Sequence, residues 1–209
     1  MSTDALVAPG GPTLSSRDRI VAAARRQVET KGILGLRVQD VASEAKVSVP
    51  LIYKYFDDRD GLLAEVLSRL FEEVVLENID AAEEYFATLE SPTVEDFLHV
   101  LALPEQEWRK PKRWMRIQIL AASMEIPALR ERLSLVQTHI TERMIDFMAS
   151  AQERMTGTVS VPPQALALLV QGSGFGFVLN DLLEDGTGVT DGEYASLLRA
   201  MLSSAFRHD

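Results

Sequence analysis

Apolar residues recur at three- and four-residue steps along almost the whole chain, and nowhere alternate with polar ones for the length of a strand. A chain patterned this way buries its apolar faces by packing helix on helix. The expected fold class is all-α, with three short helices ahead of a larger bundle. Ser15, with Asp18 three residues on, makes a capping-box start for a first helix. Ile20, Ala24 and Val28 share one face of it, and Gly32 supplies its stop. Two short helices follow, about Val38 to Ala45 and Val49 to Tyr55. A longer one starts near Arg59; its stripe runs from Leu62 through Val75, with room to continue past Ile79 toward Leu89. Ser91-Pro92 is a break and a helix start, and Trp108 to Pro111 is a further interruption. The stretch Lys112 to Glu125 is apolar almost all round and is expected to be central. Pro127 opens a long helix carrying Leu129, Leu133, Val136, Ile140, Met144 and Phe147. Beyond a loop at Thr156 to Pro163, the last two helices are expected over about Gln164–Glu184 and Asp191–Phe206.

With 209 residues, 46% of them hydrophobic and 25% charged, the chain is able to bury a sizeable core without staples. It has no cysteine, which excludes disulfides, thiolate chemistry and zinc fingers. No apolar run approaches the roughly 20 residues of a spanning helix. Met1 to Pro12 lacks a basic segment followed by an apolar stretch, so no signal peptide is expected, and Ala8 to Pro12 reads as part of a mobile tail. A cytoplasmic protein without membrane partner is the expectation.

The net charge of -10 opposes a nucleic-acid partner only until its distribution is considered. Between Leu14 and Phe56 lie eight basic residues (Arg17, Arg19, Arg25, Arg26, Lys31, Arg37, Lys46 and Lys54) against four acids (Asp18, Glu29, Asp40 and Glu44), a net of +4. Asp4 adds one acid ahead of them, so residues 57–209 carry -13. A basic head on an acidic body is the pattern expected when only the head meets phosphate.

Within that head, two short helices joined by Lys46, Val47 and Ser48 have helix-turn-helix dimensions. Val41, Ala42 and Ala45 give the first a small apolar face. Val47 plugs the turn, Ser48 is suited to cap the second helix, and Pro50 stands in its first turn where a missing N–H costs nothing. Ile52 and Phe56 are spaced to face the core, which leaves Val49, Leu51, Tyr53, Lys54 and Tyr55 outward. Hydroxyls and a lysine suit phosphates, and apolar side chains suit thymine methyls.

Over about Ser15 to Leu63, a quarter of the chain, the sequence resembles the tetracycline-repressor-like (TetR) regulators. Val38, Val41-Ala42, Ala45, Val47-Ser48, Ile52-Tyr53, Tyr55-Phe56, Arg59 and Leu62-Leu63 stand where that family's pattern has similar residues. Lys46 replaces the family's turn glycine, Arg37 a common Thr cap, Pro50 a glycine and Tyr55 a histidine. The resemblance implies a ligand-responsive transcriptional regulator. Gln39 and Val49 to Leu51 are then candidates for base edges, while Tyr53, Lys54, Tyr55 and Arg59 are candidates for phosphates. Arg37 and Ser48 complete the candidate DNA-binding set. The domain limits expected are a tail over residues 1–13, a DNA-binding domain over 14–60 and a ligand-binding and dimerisation domain over 61–209.

The resemblance also implies a homodimer formed by the last two helices, with two heads reading a palindromic operator in double-stranded DNA. Leu168, Gly172, Phe175, Gly176, Leu179, Leu183, Leu198, Met201 and Leu202 are the candidates for that interface; an intramolecular bundle core is the other reading of the same stripe. Enclosed by the middle helices, a small, largely apolar effector would meet Trp108, Trp114, Met115, Met124, Phe147 and Phe175. Gln118 and His139 are possible polar anchors, and each of these residues is equally readable as core or surface. Such an effector would act by population shift. Repressor, activator and a scaffold without DNA binding all remain open. No metal spacing, phosphate-cradling loop or nucleophile elbow is present, so no enzyme, metal or cofactor is expected.

Overall fold

The computed structural model of the protein describes residues 14–101, 109–155, 158–159, 161–182, 188 and 191–207. The chain divides into two units, Met1–Leu67 and Ser68–Asp209. The first contains α1 (Ser16–Lys31), α2 (Val38–Ala45), α3 (Val49–Phe56) and the start of α4 (Arg59–Ala87), which continues into the second unit. The second adds α5 (Val94–Leu101), α6 (Lys110–Glu125), α7 (Pro127–Arg154), α8 (Pro163–Asn180) and α9 (Asp191–Ala205). The only strands among the described residues are two-residue pieces, β1 (Thr158–Val159) and β2 (Phe206–Arg207), paired antiparallel. The fold is all-α.

The first unit closes around the faces that the sequence marks. Ile20, Ala24 and Val28 of α1, Val38, Val41, Ala42 and Ala45 of α2, Ile52 and Phe56 of α3, and Leu62, Leu63 and Leu67 of α4 are all buried. Ser15 caps α1 by accepting from the Asp18 N–H at 3.1 Å, and its hydroxyl donates to the Asp18 carboxylate at 2.6 Å. Two arginines fasten α1 to its neighbours. Arg19 donates through Nε to the Ala45 carbonyl at the end of α2 (3.2 Å), and Arg17 pairs with the buried Glu65 of α4 at 2.9 Å while lying over the Phe56 ring.

The corner between α3 and α4 is the most constrained turn in this unit. Asp57 sits at φ 63°, ψ -55°, and the Asp58 N–H donates across it to the Phe56 carbonyl at 2.7 Å, which makes a γ-turn of the strained kind. Asp58 then accepts from the Gly61 N–H at 2.7 Å, capping α4. Gly61 is held so close that an added Cβ would stand 2.0 Å from the Phe56 oxygen.

In the second unit, α7 packs against α8, α6 against both, and α5 against α9. Its core joins Phe71, Val75, Ile79 and Phe86 of α4 to Phe97 of α5 and to Leu129, Leu133, Ile140, Met144, Phe147 and Met148 of α7. Phe86 meets Phe97 and Phe147 edge-on, with centroids 6.2 and 5.2 Å apart. Arg154 donates to the Phe86 and Leu89 carbonyls at the end of α4, satisfying groups that a helix terminus leaves open.

Three expectations change. The helix after Ser91-Pro92 begins at Val94, because Thr93 and Asp96 cap it reciprocally: the Thr93 N–H donates to Asp96 at 2.9 Å and the Asp96 N–H to Thr93 Oγ at 3.4 Å. The Thr93 hydroxyl donates to the Asp96 carboxylate at 2.6 Å, and that bond, with those from the Tyr85 hydroxyl and the Thr93 N–H, holds the Asp96 carboxyl below its ordinary pKa. The interruption at Trp108 to Pro111 narrows as well, since Pro111 lies in the first turn of α6. Helix α6 is also not central. Only Arg113 and Ile119 are buried in it, because α7 and α8 cover one side and leave Trp114, Met115, Ile117 and Leu120 half-buried.

Gly61→Ala should destabilise the first unit by about 1–3 kcal/mol, since its methyl would overlap a backbone carbonyl that cannot rotate away. A thermal unfolding midpoint equal to the wild type's would show that the corner relaxes.

Candidate nucleic-acid interface and ligand cavity

Helix α3 presents its outer face because its inner one is taken: Ile52 and Phe56, four residues apart, are buried. Val49 and Leu51 are half-buried, whereas Ser48, Pro50, Tyr53, Lys54 and Tyr55 are exposed, the two tyrosines at 42% and 43%. Ser48 has the extended backbone of an N-cap, but its hydroxyl makes no capping hydrogen bond. Pro50 offers no N–H, and the Leu51 N–H goes to the Ser48 carbonyl at 3.0 Å. Ser48 thus holds the N-cap position expected from the sequence, without the side-chain bond that usually goes with it.

The turn before α3 keeps the geometry of a glycine without the glycine. Lys46 adopts the left-handed conformation, φ 55°, ψ 50°. Its N–H donates to the Ser43 carbonyl (3.3 Å) and the Val47 N–H to the Ala42 carbonyl (3.0 Å), the two hydrogen bonds of a Schellman ending. A side chain there costs about 1 kcal/mol relative to glycine. At the other end of α2, Arg37 is extended and brings no capping side chain. The buried Gln27 of α1 accepts the Arg37 N–H itself at 3.4 Å and so ties the start of α2 to α1.

Burial and pairing sort the cations of the head. Arg17 is committed to Glu65, Arg19 to backbone carbonyls, Arg25 to Glu29 at 2.8 Å, Arg26 to Glu44, and Lys31 to Asp40 at 2.9 Å. Among the described residues of the head, Arg37, Lys46 and Lys54 are exposed and carry no ion pair. They stand at the start of α2, in the turn and on α3, so the unneutralised charge collects on the helix-turn-helix itself. Gln39 is exposed on the first turn of α2. Arg59, also a candidate for phosphate, donates to the Leu36 and Ile33 carbonyls at 3.3 and 3.4 Å and so holds the α1–α2 loop. Lys46 is the residue that the sequence reading treated only as a departure from pattern; its position at the turn was the available signal.

In the second unit a cavity of about 70 Å³ is lined by Val74, Val75, Asn78, Arg109, Lys112, Arg113, Arg116, Ile117, Met144, Val170, Gln171, Phe175 and Val178. A smaller one of about 40 Å³ adjoins it, sharing Asn78, Met144 and Val170 and adding Phe97, Phe147 and Met148. Of the effector candidates, Phe175 lines the first and Phe147 the second. Trp114, Met115 and Gln118 line neither; His139 lies at 3.3 Å from Glu72 on the surface, and Met124 is 73% exposed. Trp108 falls outside the described residues. Four cations border the larger cavity, a feature the apolar pattern of α6 concealed.

The interface candidates lie mostly outward. Leu168 is 73% and Leu179 68% exposed, Phe175 and Met201 are partly so, and Leu198 is half-buried. Among the described residues, nothing beyond the helix's own backbone and chain neighbours lies within 4 Å of a Cβ added at Gly172 or Gly176. Leu183 and the side chain of Leu202 fall outside what is described.

Residues 20–66 match the model of bacterial regulatory proteins of the tetR family. Solved structures share the fold over nearly the whole chain. The multidrug binding protein EbrR, complexed with imidazole, is 24% identical, covering 94% of this chain and 98% of that one with a TM-score of 0.61. A Rhodococcus protein assigned to the TetR family of transcriptional regulators is 24% identical (92% and 98% covered, TM-score 0.57). A Saccharomonospora viridis protein assigned as a transcriptional regulator, in complex with choline, is 20% identical (90% and 94% covered, TM-score 0.57). No curated protein matches the chain by sequence. The head is thus similar to that of bacterial regulatory proteins of the tetR family, and the chain shares the fold of a solved TetR-family regulator. No helix among the described residues is long and apolar enough to cross a membrane.

Lys46→Gly should move two properties in opposite directions. Relief of the left-handed lysine should raise stability by about 1 kcal/mol, while loss of an unpaired cation should reduce the salt slope of DNA binding by about 1. Denaturant unfolding and DNA titrations over a salt series measure both; a slope equal to the wild type's would remove Lys46 from the phosphate contacts.

Proposed function

We propose that the protein is a ligand-responsive repressor that binds a palindromic operator as a homodimer and releases it when a small organic effector occupies the second unit. In this reading residues 14–60 are the DNA-binding domain, 61–209 bind effector and partner, and residues 1–13 are a tail. The observation that carries it is the placement of the head's unpaired cations, Arg37, Lys46 and Lys54, around the exposed face of α3. Helix α3 enters the major groove, with Gln39 and Val49 to Leu51 toward base edges. Ser48, Tyr53, Lys54, Tyr55 and Arg37 meet phosphates. Arg59 acts from behind by holding the loop ahead of α2, and reaches a phosphate only if it gives up those carbonyls. The work is done in the cytoplasm, where the operator is.

The outward apolar residues of α8 and α9 support the dimer: Leu168, Leu179 and Leu197 are exposed, and Gly172 and Gly176 leave room for close approach of another helix. Proteins of the same fold were solved with imidazole, malachite green and choline, which supports a small organic effector.

Fluorescence anisotropy against the DNA upstream of its own gene and against scrambled DNA, at two salt concentrations, tests the central claim. Preferential binding that weakens steeply with salt is expected; equal, weak binding to both would end the sequence-specific reading. Tyr53→Ala with Lys54→Ala should abolish that binding with helicity intact. For the dimer, Leu179→Glu should shift the protein from dimer to monomer in sedimentation. A dimer of undiminished stability would place the interface elsewhere.

A further inference from the structure

The cavity of about 70 Å³ in the second unit contains a cation that no acid among the described residues neutralises. Arg116 reaches into it between two rings, its guanidinium carbon 4.7 Å from the Phe175 centroid and 5.6 Å from that of Phe71. Its Nε is wholly buried without a hydrogen-bond partner, and no carboxylate pairs with it among the described residues. Burial alone pushes its pKa below the ordinary arginine value, with no acid nearby to raise it. The neighbouring cations differ. Arg113 is bound bidentately by Asp181 at 2.6 and 3.0 Å, and Lys112 is paired with Glu77. Arg109, 6% exposed, is hydrogen-bonded to Asn78, yet its Nε too is buried without a partner.

Stacking on two aromatic faces offsets part of the desolvation of Arg116, but a ring face accepts no in-plane N–H. A guanidinium whose Nε is left buried and unpaired is destabilised unless an acceptor completes it. The remainder of the lining says what the anion is attached to. Val74, Ile117 and Val178 are apolar, and beyond Met144 and Val170 the second chamber is bounded by Phe97, Phe147 and Met148 with Asn78 as its polar exception. Met144 is a flexible partition between the two chambers. About 70 Å³ beside about 40 Å³ suits a compact head and a short tail rather than a drug-sized molecule.

We infer that this cavity takes an amphipathic carboxylate, its carboxyl group held by Arg116 between Phe71 and Phe175 and its apolar part directed past Met144 into the Phe97–Phe147 chamber. This names the chemical class of the effector and so rests on the proposed function. It narrows the expectation from a largely apolar effector to an acid with an apolar body. The planar fork of arginine matches a carboxylate in two N–H···O bonds, and the low-polarity surroundings strengthen them.

Calorimetric titration of the full-length protein with phenylacetate and octanoate, against 2-phenylethanol, 1-octanol and phenethylammonium, tests it. Both carboxylates should bind at least tenfold more tightly than the alcohols, with the ammonium weakest. Arg116→Met should cost the carboxylates at least tenfold while leaving the alcohols unchanged, and Arg116→Lys should fall between. Alcohols or ammonium binding as well as the acids, no uptake of either acid at millimolar concentration, or an Arg116→Met variant with undiminished carboxylate affinity would each overturn the inference. If Arg116→Met does not fold, the ranking on the wild type decides. Operator titrations in parallel separate the two claims. Carboxylate uptake without change in DNA affinity upholds the site and removes the effector role. Intact DNA binding without uptake removes the site and leaves the regulator.

Discussion

The Phe56 carbonyl fixes where the reading helix stops and how the chain leaves it. Its oxygen accepts the Asp58 N–H across a strained turn and lies against the bare Cα of Gly61, while the Phe56 ring is buried under Arg17. One residue thus closes α3, sets the start of α4 and anchors both in the core with α1. The exposed face of α3 is a consequence: with Ile52 and Phe56 turned inward, Tyr53, Lys54 and Tyr55 have nowhere to go but out. Strain at Asp57 is tolerated because the buried neighbours on both sides leave the corner no alternative.

Electrostatics in the two units follows the same logic of what is already paired. The head's surplus of positive charge is unevenly usable, because Arg25, Arg26 and Lys31 are neutralised by acids of the head itself and Arg17 by Glu65 of α4. What remains free stands on α2, the turn and α3. In the second unit the surroundings are strongly acidic in sum, yet the cavity of about 70 Å³ is bordered by four cations, of which Arg116 has no acid partner among the described residues. Net charge describes solubility and long-range field. Which cations are unpaired decides the places that can hold an anion.

Helix limits were largely legible, because caps and periodicity are local. Ser15, Gly32, Pro127 and the Val38–Ala45 segment are found where their chemistry puts them. The helix-turn-helix was legible for the same reason, down to the replacement of the turn glycine by Lys46. The site's supports were not. Gln27 receives the Arg37 N–H across ten residues, and Arg59 donates to carbonyls more than twenty residues earlier. No pattern of neighbours in sequence announces either contact. Helix α6 misled for a related reason: apolar residues on all sides suggest burial, yet a helix is buried only if neighbours surround it, and α7 and α8 cover one side.

The sequence by itself determined that this chain is predominantly helical, that a head of net +4 with a helix-turn-helix spacing stands near its start, and that most of the acids lie beyond it. Those properties depend on spacing, composition and capping, which act within a few residues. The tertiary structure decided which cations are cancelled, where Lys46 and Gly61 confine the backbone, and that Arg116 lies between two phenylalanines from α4 and α8 with no counter-ion among the described residues. Pairing and desolvation are properties of groups brought together from distant parts of the chain, and only the packed helices bring them there.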